Sequence, residues 1–340
     1  MVVPCYNYGA FLPQSVRSIL DQQGLEIRVT IVDDASPDGS AAVADQLAAA
    51  DPRVSVLHNE VNLGAVRTFN RGIAQVDADY MLLISADDLV APNALTRAAA
   101  LMEANPTVGL VYGHAQKFVG EPKPRGAFPF VTWSTWAGHD WIRMQLGRSW
   151  SNISSPEAVV RASVQHEVGL YDPSLTHTHD VEMWLRIAAV ADVGHINGID
   201  QAYYRRQPQS YSTKFDTYRD IEERWLAYEQ FVSRWDASAQ TGDLGARVRS
   251  NLSQEALSAL VSEMEAGLGV EPAHVAEVRD LARRIDPSAP RTALWQDVER
   301  IGDETLDIGS SDIGYRARRW RRRTASAVRW QRWRRARYFG

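Results

Sequence analysis

Short apolar runs rich in β-branched residues alternate with longer amphipathic segments over the first 112 residues. Such runs are typical of buried strands, and hydrophobic residues at helical spacing between them indicate helices. The predicted strands are 2–4, 27–32, 54–57, 80–84 and 108–112, and the predicted helices are 10–21, 40–50, 65–76 and 92–104. This alternation predicts an α/β fold with a parallel sheet that helices cover on both faces.

The pattern changes twice in the rest of the chain. Residues 128–150 are rich in aromatic side chains and predict a long excursion between strands. From residue 216 onward the apolar residues recur at helical spacing, with further helices predicted at 244–268, 272–285 and 293–301. We therefore expect an α/β domain over 1–212, a helical region over 213–301, and a linker with a basic tail over 302–340.

Charge is distributed unevenly along the chain. The formal net charge is −5, yet residues 316–340 hold eleven Arg and no acidic residue. The remainder has 26 basic against 42 acidic residues, a formal charge of −16. An acidic body with a basic tail is not typical of a nucleic-acid-binding domain, which carries its basic residues on the folded face. No nucleic-acid partner is expected.

Cysteine content and hydropathy bear on the compartment. The single cysteine, Cys5, excludes a disulfide within the chain or a multi-cysteine metal site. No run of about 18 apolar residues predicts a membrane-spanning helix, and the N-terminus lacks the pattern of a secretion signal. The expected location is the cytoplasm. The first strand is short, which also fits a truncated start.

Acidic pairs follow two of the predicted strands. Asp33 and Asp34 end the second strand, and Asp87 and Asp88 come after the fourth. In parallel sheets, ligands bind at the carboxyl ends of the strands. Adjacent carboxylates there repel each other unless a cation neutralises them, and one or two carboxylates with substrate phosphates are the usual Mg²⁺ ligands. The alternative for the first pair is turn and helix capping within SPDGS.

The motifs in order resemble family 2 glycosyltransferases. The runs are VPCYNYGAFLPQSVRSILDQ, VTIVDDASPDGS, NEVNLGAVRTFNRGIA and YMLLISADDLVAPNAL, followed by ISSPEAVVRASVQHEVGLYDPSLTHTHDVEMWLRIA. The resemblance covers roughly residues 1–212 and implies the glycosyltransferase A fold, a Rossmann-like, mostly parallel sheet followed here by a C-terminal helical region. It further implies a nucleotide-sugar-binding half over 1–112 and an acceptor half over 113–212.

The resemblance assigns roles around the donor. It places Pro4 and Tyr6 in the loop under the nucleotide base, and Asp33 or Asp34 on the base or ribose. Further residues resemble the family's stretch near the nucleotide: Asn62, Gly64, Asn70 and Gly72. Asp87 and Asp88 resemble the end of the family's metal motif, which implies Mg²⁺ or Mn²⁺, with Asp88 as ligand and Asp87 on the metal or ribose.

The chain also departs from the family pattern. Ser85 stands where the metal motif commonly begins with Asp, and Phe69 where an Arg is common, so Arg67 or Arg71 would supply that charge. Gln207 stands where His is frequent in the loop that closes over the diphosphate. Arg205 and Arg206 could pair with phosphate there, and a solvated strand edge is the alternative.

The resemblance identifies Asp180, in THDVEMW, as the catalytic base. A positioned carboxylate can take the proton of an acceptor hydroxyl during attack, and attack opposite the leaving diphosphate inverts the anomeric centre. The alternative is a helix cap, and both roles are compatible. His179, Trp133 and Trp136 are candidate acceptor contacts, although core packing explains the tryptophans equally well. Cys5 is expected to be buried, and the HxHD run to be a loop rather than a metal site.

The basic tail has its own candidate partner. Residues 316–340 combine Trp320, Trp330 and Trp333 with many Arg, which suits an anionic membrane surface at the inner face of the plasma membrane. The alternatives are a solvated tail or one that docks on the acidic body. The expected activity is sugar transfer from a nucleoside-diphosphate sugar to a saccharide or lipid-linked acceptor. The alternatives are a non-catalytic nucleotide-sugar-binding or scaffold protein and a sugar-phosphate nucleotidyltransferase.

Overall fold

The structure is a computed structural model. It describes residues 1–123, 130–149, 151, 153–207, 215–234, 244–266 and 270–302. Those residues fall into two compact units, one within 1–142 and 152–211 and the other within 143–151 and 212–336. The basic tail, 316–340, lies outside the described residues.

The strands of the described residues all belong to the first unit. They are β1 (Val2–Cys5), β2 (Val29–Asp33), β3 (Val54–His58), β4 (Tyr80–Leu82), β5 (Leu89–Val90), β6 (Val108–Phe118), β7 (Thr132–Trp136), β8 (Val159–Arg161) and β9 (Asp192–Arg205). Its helices are α1 (Leu12–Leu20), α2 (Ser40–Ala50), α3 (Ala65–Ile73), α4 (Ala94–Ala104), α5 (Gly138–Arg148, which continues into the second unit), α6 (Ala162–Val168) and α7 (His179–Val190).

The N-terminal strands form the predicted parallel sheet. β1 lies between β2 on one side and the chain that follows β4 on the other, where Val2 pairs in parallel with Leu83. The amide of Ile84 donates to the carbonyl oxygen of Val2 at 3.0 Å. The α/β class and the parallel strands are confirmed, and all these strands point their carboxyl ends in one direction.

Helices α1 and α3 show why the sequence folds this way. In α1, Leu12, Val16 and Ile19 recur at helical spacing and are buried, and α3 likewise buries a stripe that includes Gly72. A Cβ added at Gly72 would lie 2.4 Å from Cγ1 of Val2, so the missing side chain lets α3 lie directly on β1. This close approach fixes the loops at both ends of α3 relative to the sheet.

The second group of strands forms a mixed sheet, because β9 pairs with both parallel and antiparallel neighbours. It runs parallel to β6, while β7 and β5 pair with it antiparallel along its first and last parts. The aromatic stretch predicted as an excursion contains β7 and α5. The β5–β9 pairing brings the end of β9 beside the chain that follows β4.

The second unit is helical, as predicted. Its helices within the described residues are α8 (Thr217–Arg234), α9 (Leu244–Glu265), α10 (Pro272–Ile285) and α11 (Ala293–Gly302). The buried Arg224 of α8 forms ion pairs with Asp220 and Glu255 at 2.8 Å each. Across the described part of the chain, no helix combines the length and apolar character needed to cross a membrane.

Candidate active site

The two acidic pairs lie at one edge of the sheet. The amide of Asp34 donates to the carbonyl oxygen of Cys5 at 2.9 Å, which joins the ends of β1 and β2. Tyr8 lies in the loop after β1, and burial, followed by the charges of Asp87 and Asp88, raises the pKa of its hydroxyl to about 12. The edge therefore concentrates acidic groups where α/β proteins bind ligands.

Asp34 anchors the loop between β3 and α3. Its Oδ1 accepts hydrogen bonds from Nδ2 of Asn59 at 2.7 Å and from the amide of Leu63 at 2.8 Å, and its Oδ2 accepts from the amide of Gly64 at 3.0 Å. Hydrogen bonds to an ionised carboxylate are stronger than neutral ones, so this buried side chain holds the loop in place.

Asp33 uses only one of its two carboxylate oxygens in a hydrogen bond within the described residues. Its Oδ2 accepts a hydrogen bond from the amide of Ser36 at 3.3 Å, a turn contact of the kind expected for SPDGS. Its Oδ1 is buried and has no hydrogen-bond partner among the described residues. A buried acceptor without a partner is costly unless a ligand or water satisfies it. Of the two aspartates, Asp33 is therefore the better candidate for the expected contact with base or ribose.

Pro4 and Tyr6 separate in the structure. Pro4 is not in the loop under the expected base position; it lies in β1, is buried, and stands opposite Val32 of β2. Tyr6 follows β1 and is 43% exposed, so its ring is available at the edge of the sheet. Cys5, between them, is buried, and burial first of all raises the pKa of its thiol to about 11.

The loop before α3 presents polar groups to solvent. Asn62 is exposed and its Oδ1 accepts from the amide of Gly64 at 3.1 Å. Gly64 caps α3 with a φ of 81°, a conformation that favours glycine. Arg67, in the first turn of α3, is exposed, and its guanidinium has no partner among the described residues. Arg67 is thus free to supply the charge that Phe69 lacks.

Three other residues of α3 serve the fold. Nη1 of Arg71 donates to the carbonyl oxygen of His58 at 2.6 Å, and Gly72 packs on β1. The side chain of Asn70 bonds to the backbone of Tyr171, far along the chain. Both Asn70 and Gly72 are engaged in contacts within the protein, and their expected place near the nucleotide stays a prediction.

Asp87 and Asp88 form a buried acidic pair. Asp87 is 7% exposed and Asp88 is 2% exposed. Burial raises the pKa of Asp87, and burial followed by the charge of Asp87 raises the pKa of Asp88 well above its usual range. The pair is thus strained when both groups are ionised, because two like charges share a site with little water.

Arg205 is a structural residue of this edge. Its Nε donates to the carbonyl oxygen of Asp87 and its Nη1 to that of Gly120, both at 2.8 Å, while its Nη2 donates to Oε1 of Gln14 at 2.6 Å. Its guanidinium also lies over the ring of Phe118, 4.5 Å from the centroid. The side chain is 6% exposed and its three nitrogens are engaged, which disfavours the expected phosphate contact of Arg205.

Arg206 faces the other way from Arg205, whereas Gln207 faces the acidic pair. Because side chains alternate along an extended chain, Arg206 points to solvent, and its guanidinium has no partner within the described part of the chain. Nε2 of Gln207 donates to Oδ2 of Asp87 at 3.2 Å. Arg206 is therefore the candidate for a contact with phosphate, and Gln207 contacts Asp87 of the acidic pair.

The acidic pair suits a divalent cation bound together with a phosphate ligand. Within the described residues there is no cluster of three or more His, Cys, Asp or Glu that could hold a metal by itself. Asp87 and Asp88 can supply two carboxylates, and a bound cation would offset the cost of burying their charges, since burial raises both pKa values and the charge of Asp87 raises that of Asp88 further. Mg²⁺ is commonly bound by one or two carboxylates plus substrate phosphates, and this donor set fits that arrangement.

Asp180 lies in the first turn of α7 and is partly buried. Its Oδ1 accepts from the amide of Val181 at 2.8 Å, and its Oδ2 accepts a long hydrogen bond of 3.5 Å from the hydroxyl of Ser155. Burial raises the pKa of Asp180, while His179 and His177 act in the opposite direction. The expected cap is partly present, since Thr178 is the N-cap residue and Asp180 bonds to the backbone one residue on.

A short helical turn connects the two acidic regions. Ser155, which bonds to Asp180, begins the 3-10 helix Ser155–Glu157, and this turn packs against β5. β5 begins directly after Asp88. The 3-10 turn therefore contacts both the strand next to Asp88 and, through the hydroxyl of Ser155, the side chain of Asp180. Ser155 lies in the run ISSPE, and nothing in that run predicts its contact with Asp180. Gln14, which bonds to Arg205, was likewise missed.

The candidate acceptor residues differ in exposure. Trp133 is 45% exposed, whereas Trp136 is partly buried and packs edge-on against His195, with ring centroids 6.4 Å apart. His179 is buried, and its ring lies 5.4 Å from that of Phe69. An open ring suits stacking on a ligand, so Trp133 remains a candidate and Trp136 fits a packing role.

Comparison with known proteins gives this geometry a context. Residues 1–163 match the model of "Glycosyl transferase family 2". The chain is 32% identical, over 177 residues, to the undecaprenyl-phosphate mannosyltransferase of Micrococcus luteus, which covers 50% of this chain and 68% of that protein. Against several other curated relatives, the chain spans less than two thirds of their length.

Solved structures share the fold at low identity. S. aureus TarS in complex with UDP-GlcNAc aligns with a TM-score of 0.56 at 15% identity, over 89% of this chain and 90% of that chain. Mannosyltransferase PcManGT from Pyrobaculum calidifontis, in complex with GDP-Man and Mn²⁺, aligns with a TM-score of 0.55 at 14% identity, over 91% and 87%. With its motifs in order, the matching family model and a relative covered over two thirds of its length, this chain belongs to glycosyl transferase family 2.

Proposed function

We propose that the chain is an inverting glycosyltransferase that moves a sugar from a nucleoside-diphosphate sugar to an acceptor hydroxyl. In this proposal residues 1–212 form the transferase domain, with the donor bound by 1–112 and the acceptor by 113–212, while 213–301 and 302–340 are accessory. The observation that carries it is the buried pair Asp87–Asp88 at the strand edge that also carries Asp33 and the exposed Tyr6.

The donor side supplies complementary groups for a nucleotide sugar. Tyr6 offers an open ring for the base, and Oδ1 of Asp33 offers an acceptor for a base N–H or a ribose hydroxyl. The exposed guanidiniums of Arg67 and Arg206 can pair with phosphate oxygens. Mg²⁺ or Mn²⁺ held by Asp87 and Asp88 would neutralise the charge that develops on the leaving diphosphate.

The acceptor side supplies a base. Asp180 is held at the start of α7, and burial raises its pKa, which brings its proton affinity closer to that needed near neutral pH. In the proposed step Oδ2 of Asp180 takes the proton of the acceptor hydroxyl while that oxygen bonds to the anomeric carbon. The bond from this carbon to the diphosphate breaks with its electron pair on the diphosphate. Attack from the opposite side inverts the anomeric configuration.

The acceptor is proposed to be a saccharide or a lipid-linked saccharide. A curated relative is an undecaprenyl-phosphate mannosyltransferase, and the open ring of Trp133 suits stacking on a sugar. An attachment of the tail 316–340 to the anionic inner surface of the plasma membrane would bring the enzyme to such acceptors. That tail lies outside the described residues, and its role rests on its composition.

The test is a transfer assay with UDP-, GDP- and dTDP-sugars, with Mg²⁺, with Mn²⁺ and with EDTA. We expect transfer with one donor class and its loss in EDTA. Asp180→Asn should reduce kcat at least a hundredfold while the nucleotide Kd stays within twofold, because general-base contributions are about 10²–10⁴-fold. Asp77→Asn is the matched control, since Asp77 is an exposed aspartate outside the site.

The outcomes separate the alternatives. Binding of a nucleotide sugar without transfer to any acceptor, together with no effect of Asp180→Asn, would support a non-catalytic binding or scaffold protein. Release of pyrophosphate from a nucleoside triphosphate and a sugar phosphate would support a nucleotidyltransferase. Transfer retained in Asp180→Asn would overturn the assignment of the base.

A further inference from the structure

We propose that Asn70 is a positioning residue that couples the donor-side helix α3 to the loop and helix that carry Asp180. This inference rests on the proposed function, in which Asp180 is the base. It assigns to one side chain the task of holding together two parts of the chain that are about a hundred residues apart.

The contact is a reciprocal pair of hydrogen bonds. Nδ2 of Asn70 donates to the carbonyl oxygen of Tyr171 at 2.8 Å, and Oδ1 of Asn70 accepts from the amide of Tyr171 at 2.9 Å. A carboxamide presents a donor and an acceptor side by side, whereas an ionised carboxylate presents acceptors only. The pair fixes the backbone of Tyr171 in both position and orientation.

Aromatic packing extends this contact to the start of α7. The ring of Phe69 lies 6.2 Å from that of Tyr171 and 5.4 Å from that of His179, and the last two rings lie 5.6 Å apart. Tyr171 and His179 are both buried. Since Asp180 directly follows His179, a shift of this three-ring cluster would move the carboxylate.

Tyr171 and Asp180 also interact electrostatically. Burial and then the charge of Asp180 raise the pKa of the Tyr171 hydroxyl. The titratable groups that act on Asp180 itself are His179 and His177, which oppose the effect of burial. Tyr171 therefore lies close enough to Asp180 for its backbone position to control the surroundings of the carboxylate.

The other end of α3 leads back to the donor side. Gly64 caps the helix and its amide bonds to Asp34, and Gly72 packs on β1 with no room for a side chain. A helix of nine residues fixed to the sheet in this way transmits displacement as a rigid body. Occupation of the donor loop and placement of the base thus depend on one element.

The test compares Asn70→Ala and Asn70→Asp with Asn105→Ala. The Asp variant keeps the shape but turns a donor into an acceptor that faces the Tyr171 carbonyl. Asn105 is the matched control, because its amide also bonds to a backbone carbonyl, that of Leu101, at the end of α4. We expect both Asn70 variants to lower kcat ten- to a hundredfold, with the nucleotide Kd within twofold and the control unchanged.

The pH–rate profile separates positioning from loss of stability. As the loop loosens and Asp180 gains water, its pKa should fall toward that of an ordinary aspartate, so the acid limb of kcat/KM moves to lower pH in the Asn70 variants. Hydrogen exchange gives a readout that needs no turnover. The amides of residues 178–181 should exchange at least tenfold faster in Asn70→Ala than in the wild type.

The results distinguish two failures. A wild-type protein that transfers no sugar refutes the proposed function, and the exchange rates then still decide whether Asn70 holds the start of α7. A wild-type enzyme that works, with Asn70 variants whose kcat, acid limb and exchange rates are unchanged, refutes the positioning role. A lower melting temperature with an unmoved acid limb and exchange rates means that Asn70 is merely structural, which also refutes it.

Discussion

The neighbouring residues Arg205 and Arg206 lead to opposite expectations for the same substitution. Arg205→Met removes three hydrogen bonds from a guanidinium that is 6% exposed. Arg206→Met removes an exposed guanidinium that has no partner in the described residues. The two variants delete the same charge one residue apart, so they separate a structural role from a binding role.

The magnitudes follow from the contacts. A hydrogen bond to a charged group contributes about 1.5–3 kcal/mol, so three bonds set an upper limit of about 5–9 kcal/mol for Arg205→Met. Met regains part of this by packing against Phe118, so we expect a loss of about 3–5 kcal/mol. For Arg206→Met we expect a change within about 0.5 kcal/mol, as for other surface substitutions.

Binding should show the reverse order. A phosphate contact through Arg206 is a charge-assisted hydrogen bond, worth about 1.5–3 kcal/mol, which corresponds to a Kd weaker by about ten- to a hundredfold. The assays are urea unfolding followed by circular dichroism, and calorimetric titration of UDP and GDP in Mn²⁺. A stable Arg205→Met with weak nucleotide binding, beside a destabilised Arg206→Met, would refute the reasoning.

Two further predictions concern the acidic pair and α3. Burial, followed by the charge of Asp87, raises the pKa of Asp88 in the folded protein well above its ordinary value, so its contribution to stability is present below that ordinary value and is lost as the pH rises through the folded pKa. The free energy of unfolding in EDTA should therefore fall as the pH rises above about 4, less so in Asp88→Asn, and a steeper fall in that variant would contradict this assignment. Gly72→Ala should destabilise the protein by about 1–3 kcal/mol, because its Cβ would lie 2.4 Å from Val2 and 2.9 Å from Val32. The matched Gly147→Ala, in α5 with nothing within 4 Å of the added carbon, should leave thermal stability unchanged or raise it by up to about 1 kcal/mol; equal losses in both would show that packing is not the cause.

Local patterns were sufficient for the donor half of the fold. Strands such as Val54–His58 and helices such as Ser40–Ala50 lie within a residue or two of the predicted ranges, since their periodicity and their turn residues are local. The convergence of Asp33 with Asp87 also follows from the general rule that parallel strands end at one edge. These inferences need no knowledge of distant contacts.

The remaining features depend on pairing between distant segments. Nothing in the sequence of β9 indicates that β7 and β5 pair with different parts of it. The pairing of β9 with β6, in which Arg205 stands opposite Phe118, is likewise hidden, and its register decides that Arg205 is buried and Arg206 exposed. A shift of one residue in the register would exchange the two. The bond between Asn70 and Tyr171 is equally hidden, because neither residue type carries a signal for a partner so far along the chain.

The way Asp34 binds its loop has a consequence for the thermodynamics of association. The backbone at Leu63 and Gly64 is already ordered by this carboxylate before any ligand arrives. A ligand that binds there orders little further backbone, so the entropy cost of binding is small and calorimetry should record a small heat-capacity change. A kinetic assay should find an association rate limited by encounter of the two molecules and not by folding of the loop. In Asp34→Ala the loop would be ordered only when the ligand binds, and binding would carry that entropy cost. The affinity for the ligand would fall through a slower association rate as well as a faster dissociation rate.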